Sequence, residues 1–186
     1  MANMNLTDPK LPSSIVIMGA ESTGKTTLAQ SLASHYKTGW VPEFLREFVE
    51  KKGSDPEESD IFAIANGHVD LLEKMRQEAH VLLFLDTDLF TTCVYQRIYF
   101  DKCPLPIEEA ALQRRSGLYL FTEPDIPWVP DPGQRVGPAQ RLRTHQLLMA
   151  EARKHSLQTV PIRGTHHDRM TAAIEAVDYY IHSMTQ

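Results

Sequence analysis

Residues 19–26 read Gly-Ala-Glu-Ser-Thr-Gly-Lys-Thr, which is the pattern G-x-x-x-x-G-K-[ST]. No other stretch constrains the fold as much. Glycines at the two ends permit backbone conformations and close approaches that a Cβ would block. Between them, successive N–H groups turn inward and make a cradle for anionic oxygens. The cradle needs a strand before it and a helix after it, and both patterns are present. Residues 14–18, Ser-Ile-Val-Ile-Met, form a short apolar, β-branched run suited to a buried strand. From Lys25 to Tyr36, Leu28, Ala29, Leu32, Ala33 and Tyr36 recur at helical spacing. The helix N-terminus adds its partial positive charge where the phosphates would lie. Gly19, Glu21, Ser22, Thr23, Gly24, Lys25, Thr26 and Thr27 are therefore the expected binding segment for ATP. Lys25 supplies a mobile positive charge, and the Thr26 hydroxyl is a ligand for Mg²⁺.

The same alternation continues through the chain. Strand-like runs fall at 38–41, 80–86, 118–122 and 157–162. Helical patterns fall at 43–52, 56–79, 88–100, 107–115, 138–155 and 167–183. This predicts an α/β fold of three layers (helices, sheet, helices) around a mainly five-stranded parallel sheet. The length of 186 residues suits one domain. Residues 13–186 are assigned to it and 1–12 to a polar N-terminal tail. A net charge of −5 argues against general affinity for nucleic acid. No segment is apolar enough to span a membrane, and the first residues lack the apolar centre of a signal peptide. Cys93 and Cys103 read as free thiols of a reducing compartment, which makes a cytoplasmic location the expectation. No Cys/His spacing suggests a transition-metal site. His166 and His167 read as surface or capping residues at the start of the last helix.

Parallel sheets bind ligands beyond the carboxyl ends of their strands. Asp86 closes the third strand-like run and reads as the carboxylate that helps hold Mg²⁺, directly or through water. Asp88 reads equally as a substrate contact or as the N-cap of the following helix. Beyond the second run, Glu43 and Arg46 lie one helical turn apart, so both can face the site. Glu43 could accept a hydroxyl proton from a substrate, and Arg46 could bind substrate oxygens or phosphate. An acidic first turn with an intrahelical ion pair is the plainer alternative. The fourth run leads into Thr122-Glu-Pro-Asp-Ile-Pro-Trp-Val-Pro-Asp-Pro-Gly-Gln-Arg135. Four prolines within residues 124–132 stiffen this loop. Trp128 within it could stack on a flat cationic ring or plug the local core. Arg135, Arg141 and Arg143 follow, near Gly133, Gly137 and Pro138. They read as a small arginine-bearing lid over the phosphates or as a solvated basic helix face.

Taken together, these blocks resemble the ribosylnicotinamide kinase domain of NadR-type proteins, within the wider group of P-loop nucleoside and nucleotide kinases. The resemblance is carried by residues 19–27, by Val41-Pro-Glu-Phe-Leu-Arg-Glu47, and by Leu83-Phe-Leu-Asp-Thr-Asp-Leu-Phe-Thr-Thr92. It is carried further by Pro124-Asp-Ile-Pro-Trp-Val129 and Gly133-Gln-Arg135. It implies transfer of the ATP γ-phosphate to the ribose 5′-hydroxyl of nicotinamide riboside, with Mg²⁺. It also implies Lys25, Glu43, Asp86 and Arg135 as catalytic groups, Arg141 as an ATP contact, and Glu43, Arg46, Asp88 and Trp128 around the acceptor. Nicotinamide is a flat cation, which would give Trp128 its purpose. The chain is too short to carry an added nucleotidyltransferase or DNA-binding domain, so adenylyl transfer and transcriptional control are not expected of it. Kinases of other nucleosides or nucleotides, and a regulatory ATPase, are the competing readings.

Overall fold

The central strand of the sheet is the one that leads into the glycine cradle. In the computed structural model, which describes residues 13–78, 82–129 and 138–184, β1 (Ser13–Gly19) lies between β3 (Leu82–Asp86) and β4 (Leu118–Thr122). β2 (Gly39–Val41) and β5 (Thr159–Ile162) form the edges. The order is β2-β3-β1-β4-β5, with every pairing parallel. Burial on both faces explains the unbroken apolar runs in β1, β3 and β4, since a parallel sheet covered on both sides has no polar face.

Side-chain alternation divides the core in two. Ile15 and Ile17 of β1 pack with Leu28 and Leu32 of α1 (Lys25–Tyr36) and Val177 of α7 (His166–Met184). Val16 and Met18 point to the opposite layer. There they meet residues of α3 (Ile61–Glu78), α4 (Leu89–Phe100), α5 (Leu105–Gln113) and α6 (Pro138–Lys154). A 3₁₀ turn, Glu58–Asp60, precedes α3, so that helix begins later than the 56–79 pattern suggested. The reverse holds for α5, which starts before residue 107 because Pro106 is tolerated in a first turn.

α2 (Phe44–Lys52) buries none of its residues fully and leans on α3. A Cβ on Gly67 of α3 would lie 2.0 Å from the Phe44 ring, so this mid-helix glycine is what lets α2 approach. The register sets the site. Ile17 is level with Asp86, and Gly19 with Thr122. The ends of β1, β3 and β4 thus open side by side. The 1–12 tail, the 80–81 start of the third strand-like run, Arg135 and the 130–137 part of the lid lie outside the described residues.

Candidate active site

The cradle is built as the sequence demanded, with one change of reason. Gly24 has φ of 80° and serves as N-cap of α1 with no side-chain cap, so the first N–H groups of α1 are left for a ligand. Gly19 has a different role. A Cβ there would lie 2.1 Å from Thr122 Oγ1, so this glycine is required by packing against the end of β4. Thr23 is fully buried, donates to the Ala20 carbonyl at 2.8 Å, and shares a 2.7 Å hydrogen bond with Thr122 Oγ1. Its side chain braces the loop, which leaves only its backbone for phosphate. Arg169 of α7 locks the outer side. Its Nη1 donates to the Thr23 carbonyl at 2.7 Å and its Nη2 to the Glu123 carbonyl at 3.0 Å, and it pairs with Asp125. Inside this frame Lys25 Nζ donates to the Ala20 carbonyl at 3.0 Å.

Asp86, at the end of β3, is 1 % exposed. The Thr26 hydroxyl donates to its Oδ2 at 2.5 Å, while Oδ1 has no partner among the described residues. Burial pushes the Asp86 carboxyl above its usual range and the Glu43 charge adds to this, while Lys25, the Thr26 hydrogen bond and Arg46 oppose it. An orphaned, buried carboxylate oxygen beside a threonine hydroxyl is a donor set suited to Mg²⁺, which takes few protein ligands and completes its shell with water and phosphate. Among the described residues no cluster of three or more His, Cys, Asp or Glu could hold a metal alone, so phosphate oxygens would have to share the ion. The next residue, Thr87, sits at φ of 77°, a strained conformation for a β-branched side chain. Its Oγ1 is buried and has no hydrogen-bond partner among the described residues.

Beside Lys25 and Thr87 opens a cavity of about 520 Å³ between α2, α3, α4 and the cradle. That volume is of the size that small-molecule sites have. Phe44, Tyr95, Tyr99 and Phe100 give it aromatic walls, and Glu21, Glu43 and Arg46 give it charge. Glu43 and Arg46 form the ion pair of the plainer reading and also face the cavity. Arg46 Nε donates to Glu43 Oε2 at 3.1 Å across one turn, and both residues line the cavity. Tyr95 and Tyr99 stack with centroids 6.0 Å apart and planes 13° from parallel. The Tyr95 hydroxyl donates to the Gly19 carbonyl at 3.3 Å, and the Tyr99 hydroxyl donates to Glu21 Oε1 at 3.2 Å. Burial raises the pKa of both phenols, so they stay protonated donors. His68 is 3 % exposed in the same cavity, and burial lowers its pKa, against the pull of Asp88 and Glu43, which favours a neutral ring.

Several expected residues fall elsewhere. Trp128 does not line the cavity. The neighbouring Val129 N donates to Ser22 Oγ at 3.0 Å, which holds this loop against the cradle. Asp88 is the N-cap of α4. Its Oδ1 accepts from Thr91 N and Thr91 Oγ1, and its Oδ2 accepts from the Tyr119 hydroxyl at 2.8 Å. Both oxygens are thus engaged by the protein, and Asp88 does not line the cavity. Glu21, expected to contact ATP, turns its buried side chain into the cavity, where Oε1 accepts from the Tyr99 hydroxyl. Arg141 donates from Nη1 to the Ile126 carbonyl at 2.9 Å, while its buried Nε and Nη2 have no partner among the described residues. Tyr95, Gln96, Tyr99, Phe44 and His68 were not foreseen. Tyr95 and Tyr99 stand four apart on the helix that follows Asp86, a spacing that places them on one face.

Fold and cradle define a P-loop nucleotide-binding α/β domain with a second, aromatic-walled pocket beside the phosphate end. The chain belongs to the AAA domain family, which matches residues 14–169. It is 28 % identical over 169 residues to the trifunctional NAD biosynthesis/regulator protein NadR of Salmonella typhimurium, covering 88 % of this chain and 41 % of that protein. A solved NadR protein in complex with NR superposes with a TM-score of 0.78 at 26 % identity, over 91 % of this chain and 51 % of that one. The same comparison with a NadR protein holding NAD and AMP-PNP gives a TM-score of 0.72 at 27 % identity, over 91 % and 49 %. The chain therefore spans about half the length, or less, of the relatives it matches. Among the described residues no helix is long and apolar enough to cross a membrane.

Proposed function

We propose that this protein is a Mg²⁺- and ATP-dependent kinase that phosphorylates the ribose 5′-hydroxyl of nicotinamide riboside to give nicotinamide mononucleotide. The observation that carries the reading is the aromatic, acid-bearing cavity opening directly beside Lys25 and Thr87. A site that only hydrolysed ATP would have no use for a second pocket of this chemistry. Stacked tyrosines and carboxylates suit a flat cationic ring, as nicotinamide is in its riboside. The likeness to NadR proteins holding NR and AMP-PNP supports the same pair of substrates.

In this mechanism the α1 N-terminus and the 19–27 cradle hold the phosphates, and Lys25 leaves the Ala20 carbonyl to neutralise them. Thr26 and Asp86 would hold Mg²⁺, which would supply neutralisation of phosphate charge. Glu43 orients the acceptor hydroxyl and takes its proton, with Arg46 holding the carboxylate in place. Asp86 is the rival base. Asp88 is not, since both its oxygens are engaged. Arg141, and Arg135 beyond the described residues, would reach the transferred phosphoryl group.

The test is a product assay with Mg-ATP and a panel of nucleosides, read by mass. A phosphorylated nicotinamide riboside is the expected product. Phosphorylation of a different nucleoside would transfer the assignment to that acceptor. ATP hydrolysis with no phosphorylated product would sink the kinase reading in favour of a regulatory ATPase.

A further inference from the structure

Among the described residues, nothing binds either polar group of the Gln96 side chain. It is 4 % exposed on α4, it lines the cavity, and neither Oε1 nor Nε2 has a hydrogen-bond partner among the described residues. Oxygen and nitrogen of a glutamine are interchangeable by a flip of the amide, yet here the flip changes nothing, because both ends are open. Packing alone does not call for glutamine. A leucine or methionine would fill a similar volume without burying two unsatisfied groups. Three further atoms of cavity-lining residues have no partner among the described residues: Glu21 Oε2, His68 Nε2 and Thr87 Oγ1. By contrast, the neighbouring tyrosine hydroxyls are committed to Gly19 and Glu21. The unsatisfied capacity is thus concentrated on Gln96 and the orphans beside it, while the aromatic walls are fixed.

We infer that Gln96 selects the acceptor by pairing its amide with a ligand group that presents an N–H donor and a C=O acceptor side by side. Two kinds of riboside carry such an edge: a pyridine ring with a primary carboxamide, and a nucleobase with a lactam edge. The inference rests on the kinase reading above and names its specificity determinant. A carboxylate in place of the carboxamide offers two acceptors and no donor. It leaves Gln96 Oε1 unsatisfied and meets the negative charge of Glu21 and Glu43. The carboxylates alone could cause that discrimination, so wild-type selectivity is not enough to test Gln96.

The experiment compares wild type with Gln96→Leu on nicotinamide riboside, nicotinic acid riboside and uridine, with the KM for ATP as control. With Gln96→Leu, kcat/KM for whichever amide-bearing riboside the wild type uses should fall roughly tenfold to a hundredfold. The acid analogue should change by no more than a few-fold, and the KM for ATP by less than about twofold. The melting temperature should hold or rise, because two unpaired buried groups are gone. Wild-type preference between nicotinamide riboside and uridine tells which edge is read. Equal losses on amide and acid ribosides, or no loss at all, would overturn the assignment and leave the kinase reading intact. If wild type phosphorylates none of the three, calorimetric binding of nicotinamide riboside decides. Binding that Gln96→Leu weakens keeps Gln96 and discards phosphoryl transfer, and absence of binding discards both.

Discussion

Replacing Asp86 by asparagine should make the ligand-free protein more stable and the enzyme nearly inactive. The carboxylate is 1 % exposed, and one oxygen has no partner among the described residues. Its pKa is raised, because burial and the Glu43 charge outweigh Lys25, the Thr26 hydrogen bond and Arg46. A raised folded pKa means that the native state binds the proton more tightly than the unfolded chain does. Stability is then lost as pH climbs from the unfolded value of about 3.9 to the raised native one, and stays lost above it. Asparagine keeps the shape and the acceptor for Thr26 without the charge. An unpaired buried polar group costs about 1–3 kcal/mol, and the new amide N–H₂ retains part of that cost. We therefore expect a gain near 1 kcal/mol at pH 7.5, a rise in Tm of roughly 2–4 °C for a chain of this size.

The assay is thermal melting of both proteins without nucleotide or Mg²⁺, from pH 4 to pH 8. The difference should shrink towards the acid end, where the raised pKa leaves a growing share of wild-type Asp86 protonated. Product formation with Mg-ATP should fall by at least tenfold to a hundredfold, on the order of what removing a group that orients a metal costs. A variant that melts with or below wild type at pH 7.5, or a difference that is the same at both ends of the range, would refute the claim that the buried charge dominates.

Lys25→Ala should abolish product formation, read by mass, and turnover near the wild-type rate would remove Lys25 from the phosphate site. Glu43→Gln should cut kcat by roughly a hundredfold to ten-thousandfold while the Kd for ATP holds, and an unchanged kcat would return the base to Asp86. Gly19→Ala puts a methyl 2.1 Å from Thr122 Oγ1, so Tm should drop by the equivalent of about 1–3 kcal/mol; melting with wild type would show that the end of β4 yields freely. Tyr99→Ala should raise the acceptor KM about tenfold, whereas Trp128→Ala should leave it within twofold. The opposite ranking would put the ring of the acceptor against the proline-rich loop after all.

The donor half of the site was legible because its chemistry is contiguous. The cradle, its strand and its helix occupy residues 13–36, and each conformational demand falls on a residue that advertises it. The three inner strands β1, β3 and β4 were legible for a related reason, since burial on both faces writes them as apolar runs, whereas the edge strands β2 and β5 are only partly buried and carry a weaker signal. The cavity proposed for the acceptor is lined largely from three helices, by residues between Glu43 and Phe100. Inside a helix, a tyrosine that lines a pocket and one that fills a core have the same spacing, so Tyr95 and Tyr99 carry no local mark. Glu21 was hidden differently. It occupies a variable position of the cradle, and only the Tyr99 hydroxyl shows which way its side chain turns. Trp128 misled because stiffness was legible and direction was not. The prolines fix the shape of the loop, while the contact of Val129 with Ser22 holds it against the cradle. Asp88 was undecidable until Thr91 and Tyr119 were seen to engage both oxygens.

The two halves are joined chiefly through α4. Its N-cap, Asp88, ties the helix to β4 through Tyr119, immediately after Asp86 and Thr87 have been placed at the mouth of the cradle. Two turns on, Tyr95 holds the Gly19 carbonyl, and Tyr99 a turn later holds Glu21. From cap to Tyr99 is about 16 Å at 1.5 Å per residue, enough to run the length of a nucleoside. A single element therefore touches the carboxylate beside Thr26, the aromatic wall of the cavity proposed for the acceptor, and the backbone of the glycine cradle. Bringing two reactants into in-line contact depends on holding both against one reference, because an ångström of misplacement costs orders of magnitude in rate. Here that reference is α4. A substitution that tilts this helix would move acceptor and donor sites together, and would lower kcat as well as acceptor affinity. One that trims a pocket side chain such as Gln96 without moving the helix would spare the cradle and leave ATP binding intact.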